Sequence, residues 1–441
     1  MRVVKRAAAA VCAVVVLISA HAVARSGAAG QPVPNPPRVD AAALHGRGAL
    51  AFVWQGRLYI LDGPTRTLRL LDRSGTASSP SWSHDGQWVS WQLQSDNRIW
   101  LARRDGTGIH PLSVASGAVW SPTRDALAAT PATGRLGGLW ILRPGAPARR
   151  VARREKVQSF LWSPSGRSIA FVGAPISPTP RLVRQYLYSV DLPSGTVRRH
   201  APIPSSRNNA IMLAGWWPDG KELLYWLDPQ FSASLAADGL PLFTLNPASG
   251  AVRSLAYTLH YSDWLAPAPS GGQIAIVRGL DRSSYFGKHI DICSEGAATC
   301  APLAASSGTV SEDPAWSPSG NKVAFVRATA LPRTSGFATG AAYMRWIHSR
   351  TLWIAHPDGS ELRQVHSAGN GVYDPAWSSD GRRLLFVRDN ALWLSPYLGG
   401  TPARVAQLFP GRQLPPYPSR YWDISYYGKV GWTRLFSWYS G

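Results

Sequence analysis

The chain has 441 residues, of which 45% are hydrophobic and 16% charged, so a packed core is expected and a largely disordered chain is excluded. Its formal net charge is +21, and 40 of the 46 basic residues are Arg, which fits either a polyanionic partner or a biased codon supply. Three Cys exclude a disulfide-dense scaffold and a multi-Cys zinc module, whereas 41 Gly, 36 Pro and 20 Trp indicate a turn-rich all-β protein.

The N-terminal segment, residues 1–22, is predicted to be a signal peptide. Basic residues precede the apolar run Ala7–Ala20, which suits a signal-peptide core and is short for a membrane span. Ala20-His21-Ala22 offers a small-x-small cleavage pattern, and residues 23–47 form a Pro-rich linker. We therefore expect an exported protein that is periplasmic, cell-wall-associated or extracellular. An uncleaved N-terminal anchor remains the alternative.

One motif recurs seven times along the rest of the chain: a Trp, a Ser/Pro turn that usually ends in Gly, and an alternating apolar strand. The copies begin at Trp82, Trp120, Trp162, Trp216, Pro267, Trp316 and Trp377. The third and the sixth units of the chain, at Trp120 and Pro267, depart from the pattern and are interpreted as irregular turns. Each copy holds about four short strands, named A to D, with the Trp at the end of strand A. Four antiparallel strands per unit are typical of a propeller blade.

The first unit lacks strand A. Leu50–Val53, Leu58–Leu61 and Thr67–Leu71 are predicted as its strands B, C and D. The aromatic segment 419–441 is the candidate for the missing strand, which would pair the two chain termini and leave no open sheet edge. We predict a single all-β propeller domain over residues 48–441, with eight blades. Seven blades remain the alternative, if the C-terminal segment only caps the ring.

The repeated Trp-Ser-Pro-Asp/Ser-Gly turn, followed by an aliphatic residue, Ala and Phe, resembles the TolB-type, WD40-like β-propeller repeat. That repeat occurs in bacterial envelope proteins and in the propeller parts of some peptidases and lyases. The resemblance covers roughly residues 48–408 and implies the fold, whereas propellers host many activities. The sequence contains no Gly-x-Ser-x-Gly, His-Glu-x-x-His, Walker or dinucleotide-binding motif. We therefore predict no catalytic residue and no cofactor.

The BC connections lengthen in units four to seven, and BC and DA connections share one face of an up-and-down propeller. Arg residues and aromatics interleave in these loops, which suits contact with a peptide, a glycan or an anionic polymer. Solvated loops that only cover the blades are the alternative. The candidate ligand-binding residues are Arg184, Arg282, Tyr285, Lys288, Tyr343, Arg345 and Trp346.

A group of acidic residues is predicted on the same face, where strand A of units six to eight begins near the central channel. Its members are Asp263, Glu312, Asp313 and Asp374. Carboxylates around a channel mouth are predicted to hold a metal cation or a substrate ammonium. The alternative is that Asp before Pro only forms a strand-entry turn.

Cys293 and Cys300 flank a small-residue turn between two predicted strands. In an oxidising compartment such a pair can join a hairpin, so we expect a disulfide.

Together these features predict a non-catalytic binding or scaffold module of the bacterial cell envelope, expected to be a monomer. Its expected partner is an envelope protein or an anionic cell-wall polymer, with membrane contact only peripheral or through an uncleaved N-terminal segment. Nucleic acid is not expected, because an exported protein rarely meets it and the sequence has no basic run or RNA-binding signature. The alternative function is a propeller lyase or hydrolase that acts on an anionic glycan or peptide.

Overall fold

The computed structural model contains eight four-stranded antiparallel sheets, the blades of a propeller around a central channel. The residues that the structure describes are 35–112, 117–131, 138–153, 155–175, 185–200, 209–229, 231–296, 299–333, 340–410 and 425–441. The predicted signal peptide lies outside them, as do residues 23–34 of the predicted linker. The prediction of eight blades is confirmed, because seven sheets follow the chain from A to D and the eighth combines both ends of the chain.

The strand bounds of the first four blades, from A to D, are as follows. Blade one has Phe436–Tyr439, Ala49–Trp54, Arg57–Asp62 and Thr67–Leu70. Blade two has Ala77–Trp82, Trp88–Leu93, Arg98–Arg103 and His110–Pro111. Blade three has Gly117–Trp120, Leu127–Thr130, Leu139–Arg143 and Ala146–Ala152. Blade four has Glu155–Trp162, Ser168–Pro175, Tyr186–Asp191 and Val197–His200.

The remaining blades have the same arrangement. Blade five has Asn209–Trp216, Leu223–Pro229, Leu240–Leu245 and Val252–Thr258. Blade six has Leu265–Pro267, Gln273–Arg278, His289–Ser294 and Ala301–Pro302. Blade seven has Thr309–Trp316, Val323–Thr329, Thr351–Ala355 and Arg363–Gln364. Blade eight has Tyr373–Trp377, Arg383–Arg388, Ala391–Pro396 and Ala403–Gln407.

Short helices lie in the connections. The α-helices are Ala233–Asp238 in the BC connection of blade five and Gly340–Ser349 in that of blade seven. Single 3-10 turns occur at Ala41–Leu44, Ser262–Trp264, His366–Ala368 and Trp432–Arg434. Within the described ranges, no helix combines the length and the apolar composition needed to cross a bilayer.

The ring closes by pairing the two ends of the chain, as predicted. Ala49 lies opposite Tyr439 and Phe52 opposite Phe436 in an antiparallel pair. Residues 419–424 of the predicted closing segment lie outside the described residues. Before the closing strand, Ser425–Tyr426 and Lys429–Val430 form a small two-stranded hairpin that belongs to no blade. We call residues 425–430 the Lys429 hairpin.

The repeat Trp side chains link neighbouring blades. The indole N–H of Trp120 donates to the carbonyl of Ser81, the residue before Trp82 in the preceding blade, at 3.1 Å. The indole of Trp82 donates to the carbonyl of Ser437 at 3.0 Å, so Trp438 holds the repeat position in blade one. The same bond joins Trp162 to Val119, Trp216 to Leu161, Trp316 to Ala266 and Trp377 to Ala315. The repeat Trp is thus an inter-blade donor as well as the predicted packing residue.

The apolar core lies between adjacent blades, because one small sheet buries neither face alone. For example, Ala51 and Ile60 of blade one share a buried cluster with Val89 and Trp91 of blade two. Strands C and D of blade six are joined by a disulfide between Cys293 and Cys300.

Candidate functional site

Strand A of blades seven and eight contains an Asp-Pro step three residues before the repeat Trp. Asp313 and Asp374 have left-handed backbone angles, φ 54° and 49°, and each lies at a register shift in its strand pairing. Asp adopts this conformation more readily than most residues, so the shift forms a β-bulge. Blade two has the same bulge at Ser79, with φ 53°. The interpretation of Asp313 as a strand-entry turn is therefore wrong, because it lies inside strand A.

The ammonium group of Lys429 lies among these acidic residues. Its Nζ is 2.7 Å from Asp263 Oδ2 of blade six and 3.2 Å from Asp313 Oδ1 of blade seven. Asp374 of blade eight also acts on Lys429 electrostatically. Contact with successive blades places the ammonium at the channel mouth on the BC and DA face.

A second cation, Arg350, is buried on the wall of the same site. Its guanidinium pairs with Glu312, and its Nη2 lies 3.0 Å from Asp313 Oδ2. Its Nε donates to the carbonyl of Val372 at 2.9 Å, and the Tyr373 ring centroid is 3.8 Å from its Cζ. These bonds hold Arg350 in place from the blade side. We call Asp263, Glu312, Asp313 and Asp374 the carboxylate cluster.

Burial and nearby charges shift the pKa values within the carboxylate cluster in opposite directions. Burial raises the pKa of Glu312 and of Asp374 to about 7, because the cations only partly offset the lost hydration. For Asp313 burial also acts upward, but Lys429 and Arg350 outweigh it and hold the pKa below its usual value. Burial disfavours the Lys429 ammonium, yet the surrounding carboxylates raise its pKa above the ordinary value. The Asp313–Lys429 pair is thus the charged centre.

The four acidic residues predicted from the sequence therefore do come together around Lys429 and Arg350, and their binding of a metal ion stays a prediction. Among the residues in the described ranges, no group of three or more His, Cys, Asp or Glu side chains is placed to hold a metal ion. Arg350 and Lys429 already pair with oxygens of the cluster, so a metal cation would have to compete with them.

Half of the predicted ligand-binding residues that the structure describes are buried. Trp346 is 1% exposed and Tyr285 4%, and their rings pack at 5.8 Å between centroids. The half-buried Tyr343 stacks on Trp346 at 5.6 Å. Arg345 is exposed, and Arg184 lies outside the described residues. Trp346 and Tyr285 are therefore corrected from ligand contacts to core residues, because they pack below the Lys429 hairpin.

The two remaining predicted contacts are structural. Lys288 is 1% exposed, and its ammonium donates to the carbonyls of Leu280, Asp281 and Phe286 at 2.9 to 3.0 Å. Burial lowers the pKa of Lys288 to about 8. Arg282 makes a bidentate pair with Asp238 at 2.6 and 2.7 Å. Both cations thus fix the loop conformation.

The Lys429 hairpin rests on this loop layer. The carbonyl of Tyr427 accepts a bond from the Ser284 N–H at 2.9 Å, and the Arg282 Cζ lies 5.5 Å from the Tyr427 ring centroid. At Gly428, φ is +93°, and an added Cβ would meet Ser284 Oγ at 2.4 Å and the Trp346 ring at 3.1 Å. Only glycine fits there without a shift.

A cavity of about 700 Å³ lies at the other end of the A strands, where the AB turns meet. We call it the tryptophan cavity. The repeat motif supplies the lining side chains Trp120, Trp162, Trp216, Trp316, Trp377, Pro122, Pro164, Pro218 and Pro318. Among the residues that the structure describes, the lining includes no charged side chain and no hydroxyl. Since Asp313 precedes Trp316 by three residues, the cavity lies roughly 10 Å along the strand from the carboxylate cluster.

Sequence reasoning missed Lys429, Arg350 and the tryptophan cavity as parts of a site. One signal was present: only six of the 46 basic residues are Lys, in a chain otherwise rich in Arg. A compact ammonium fits a small set of oxygens where a planar guanidinium does not. Lys288 and Lys429, both buried, are two of those six.

No known family model matches the sequence, and no curated protein matches it. Solved structures do resemble it. A eukaryotic initiation factor is similar over 86% of this chain and 90% of its own, with 11% identity and a TM-score of 0.51. A putative TolB from Agrobacterium tumefaciens is similar over 76% of this chain and 95% of its own, with 15% identity and a TM-score of 0.33.

An acylaminoacyl peptidase from Pyrococcus horikoshii is similar over 75% of this chain, with 12% identity and a TM-score of 0.41. The match covers 52% of the peptidase, so the chain spans about half its length. All of these identities are low, and the similarities concern the fold alone. The β-propeller fold predicted from the repeat is confirmed by the blades themselves.

Proposed function

We propose that this protein is a non-catalytic binding module that takes an extended, proline-rich segment of a partner protein into the tryptophan cavity. The observation that carries the proposal is the cavity lining, in which the Trp and Pro side chains of successive AB turns surround about 700 Å³. That volume is typical of a ligand pocket. Aromatic-lined grooves bind polyproline segments because such segments are already extended and lose little entropy.

The chemistry of the lining selects among the partners expected from the sequence. An anionic cell-wall polymer needs cationic or hydrogen-bonding groups, and the lining of the tryptophan cavity has no charged or hydroxyl side chain. The indole N–H groups of Trp162 and Trp316 are already used between blades. The cavity therefore favours an apolar partner segment, and an envelope protein is the proposed source. The predicted signal peptide supports that setting.

A peptide-binding experiment with a matched control tests the proposal. The probe is fluorescein-labelled octaproline, titrated with protein and followed by fluorescence anisotropy. Pro164→Asp puts a carboxylate into the lining of the tryptophan cavity, whereas His84→Asp puts one at the same turn position of blade two, which does not line the cavity. We expect Pro164→Asp to weaken binding at least tenfold and His84→Asp to leave it unchanged.

Thermal unfolding of both variants shows whether the fold is retained. Equal binding by the two variants, or no saturable binding of octaproline to the wild type, contradicts the proposal. Cleavage of the peptide during the titration would favour the enzymatic alternative instead.

A further inference from the structure

The Lys429 hairpin approaches the channel mouth from outside the blades. Its two strands pair only with each other. The hairpin lies directly before the 3-10 turn that leads to the closing strand. Lys429 reaches Asp263 and Asp313 from this position. The carboxylate cluster is thus built by blades six to eight, whereas its ammonium is supplied by a separate segment.

The charges of the cluster depend on that segment. Lys429 and Arg350 pair with the carboxylates of the cluster, and Lys288 also acts on Glu312 electrostatically. Arg350 belongs to the blade wall, where it is bonded to Glu312, Asp313 and Val372. Without Lys429, Asp263 and Asp313 would lose the ammonium that lies 2.7 and 3.2 Å from their oxygens. A site of this charge attracts a cation strongly, because buried carboxylates are poorly solvated.

Two polar atoms, one in the carboxylate cluster and one next to it, have unused hydrogen-bonding capacity. Glu312 is 2% exposed and Tyr373 3% exposed, yet Glu312 Oε2 and the Tyr373 hydroxyl have no hydrogen-bond partner among the residues that the structure describes. Both residues contact Arg350. Buried polar groups are normally satisfied, so unpaired ones indicate room for a further polar contact. The site therefore offers more contacts than Lys429 uses.

We infer that the carboxylate cluster is a binding site for a primary ammonium group of a partner, namely a lysine side chain, and that Lys429 is its tethered internal occupant. An ammonium donates three bonds in compact geometry, which suits carboxylates converging from blades six to eight. A tethered group has a high effective concentration, so a free ligand displaces it only when further contacts help. The inference is independent of the tryptophan cavity.

Chemical rescue tests the site directly. Lys429→Ala removes the side chain beyond Cβ, and n-propylammonium replaces the missing carbons and nitrogen. We expect n-propylammonium chloride to raise the Tm of Lys429→Ala saturably, by about 2 °C at ten times its Kd, over equal concentrations of sodium chloride. The wild type, whose site is occupied, should show no such rise.

Lys221→Ala is the control, since Lys221 also contacts two carboxylates, each at 2.9 Å, but its side chain is 66% exposed, so its removal leaves no buried site. We expect no rescue of this variant. An equal rise in both variants, or none in Lys429→Ala, overturns the inference.

Hydrogen exchange in the wild type keeps the inference testable if Lys429→Ala does not fold. The probe is the peptide Gly-Gly-Lys-Gly-Gly, with the norleucine peptide of the same length as control. We expect the lysine peptide at high concentration to speed exchange of the amides of residues 427–430 several-fold, because displacement of Lys429 releases the hairpin. Equal exchange with both peptides overturns the inference.

Discussion

Replacement of Lys429 by Met should destabilise the protein strongly, because it keeps an unbranched apolar side chain but removes the ammonium group. Asp263 and Asp313 would lose a cation at 2.7 and 3.2 Å. Removal of one partner from a buried ion pair costs about 3–5 kcal/mol. With an unfolding entropy of about 2.1 cal/mol/K per residue over some 400 residues, the expected fall in Tm is about 4–6 °C.

The loss of stability in the Lys429→Met variant should also depend on pH. Burial raises the pKa of Asp374 to about 7 even though Lys429 opposes the shift. Without Lys429 that pKa rises further, so the folded variant binds a proton at Asp374 at pH 6 and avoids the uncompensated charge. The difference in Tm between wild type and variant is therefore expected to be larger at pH 8 than at pH 6.

Scanning calorimetry at the two pH values measures both effects, with Lys221→Met as the control. Lys221 also contacts two carboxylates, Asp219 and Glu295, each at 2.9 Å, but its side chain is 66% exposed. Exposed ion pairs contribute little to stability, so its loss should be much smaller. A Lys429→Met variant that behaves like Lys221→Met, or whose loss is the same at both pH values, would refute the reasoning.

Two further predictions concern stability. Reduction of the Cys293–Cys300 disulfide, whose sequence separation is 7, should lower the free energy of unfolding by about 2.5 kcal/mol through loop-closure entropy. Urea unfolding with and without dithiothreitol measures this change, and an unchanged midpoint would contradict the prediction. Asp374→Asn should gain stability relative to the wild type as pH rises from about 4 to 7. Burial raises the pKa of Asp374 from 3.8 to about 7, so in this range the unfolded wild type releases the proton first; a variant with no relative gain in Tm would argue against this.

The fold was predictable because its signal is local and repeated. Each Trp turn specifies one hairpin, and seven copies leave one incomplete blade that only the C-terminal strand can complete. The convergence of Asp313 and Asp374 followed from the same repeat, since equivalent positions of adjacent blades line one channel. Periodicity therefore predicts what each blade contributes by itself.

The contents of the site were not predictable in the same way. Lys429 meets Asp313 through a segment far along the chain, and no local pattern specifies that contact. Trp346 was expected on a surface because its loop is long and aromatic, but the Lys429 hairpin covers that loop. The repeat Trp residues were predicted to pack between blades. That their rings also line the tryptophan cavity has no signature in the sequence. Contacts between segments that are distant in the sequence determine the position of Lys429, the burial of Trp346 and the lining of the tryptophan cavity.

The composite first blade has a consequence for the order in which the protein folds. Its strands Ala49–Trp54, Arg57–Asp62 and Thr67–Leu70 are synthesised long before their partner Phe436–Tyr439. Until then the first sheet has an open edge and the ring is unclosed. Because the Lys429 hairpin directly precedes that strand, the channel mouth is filled at the same late step. A nascent chain therefore completes its ring and its internal ion network together, after every other blade has been made.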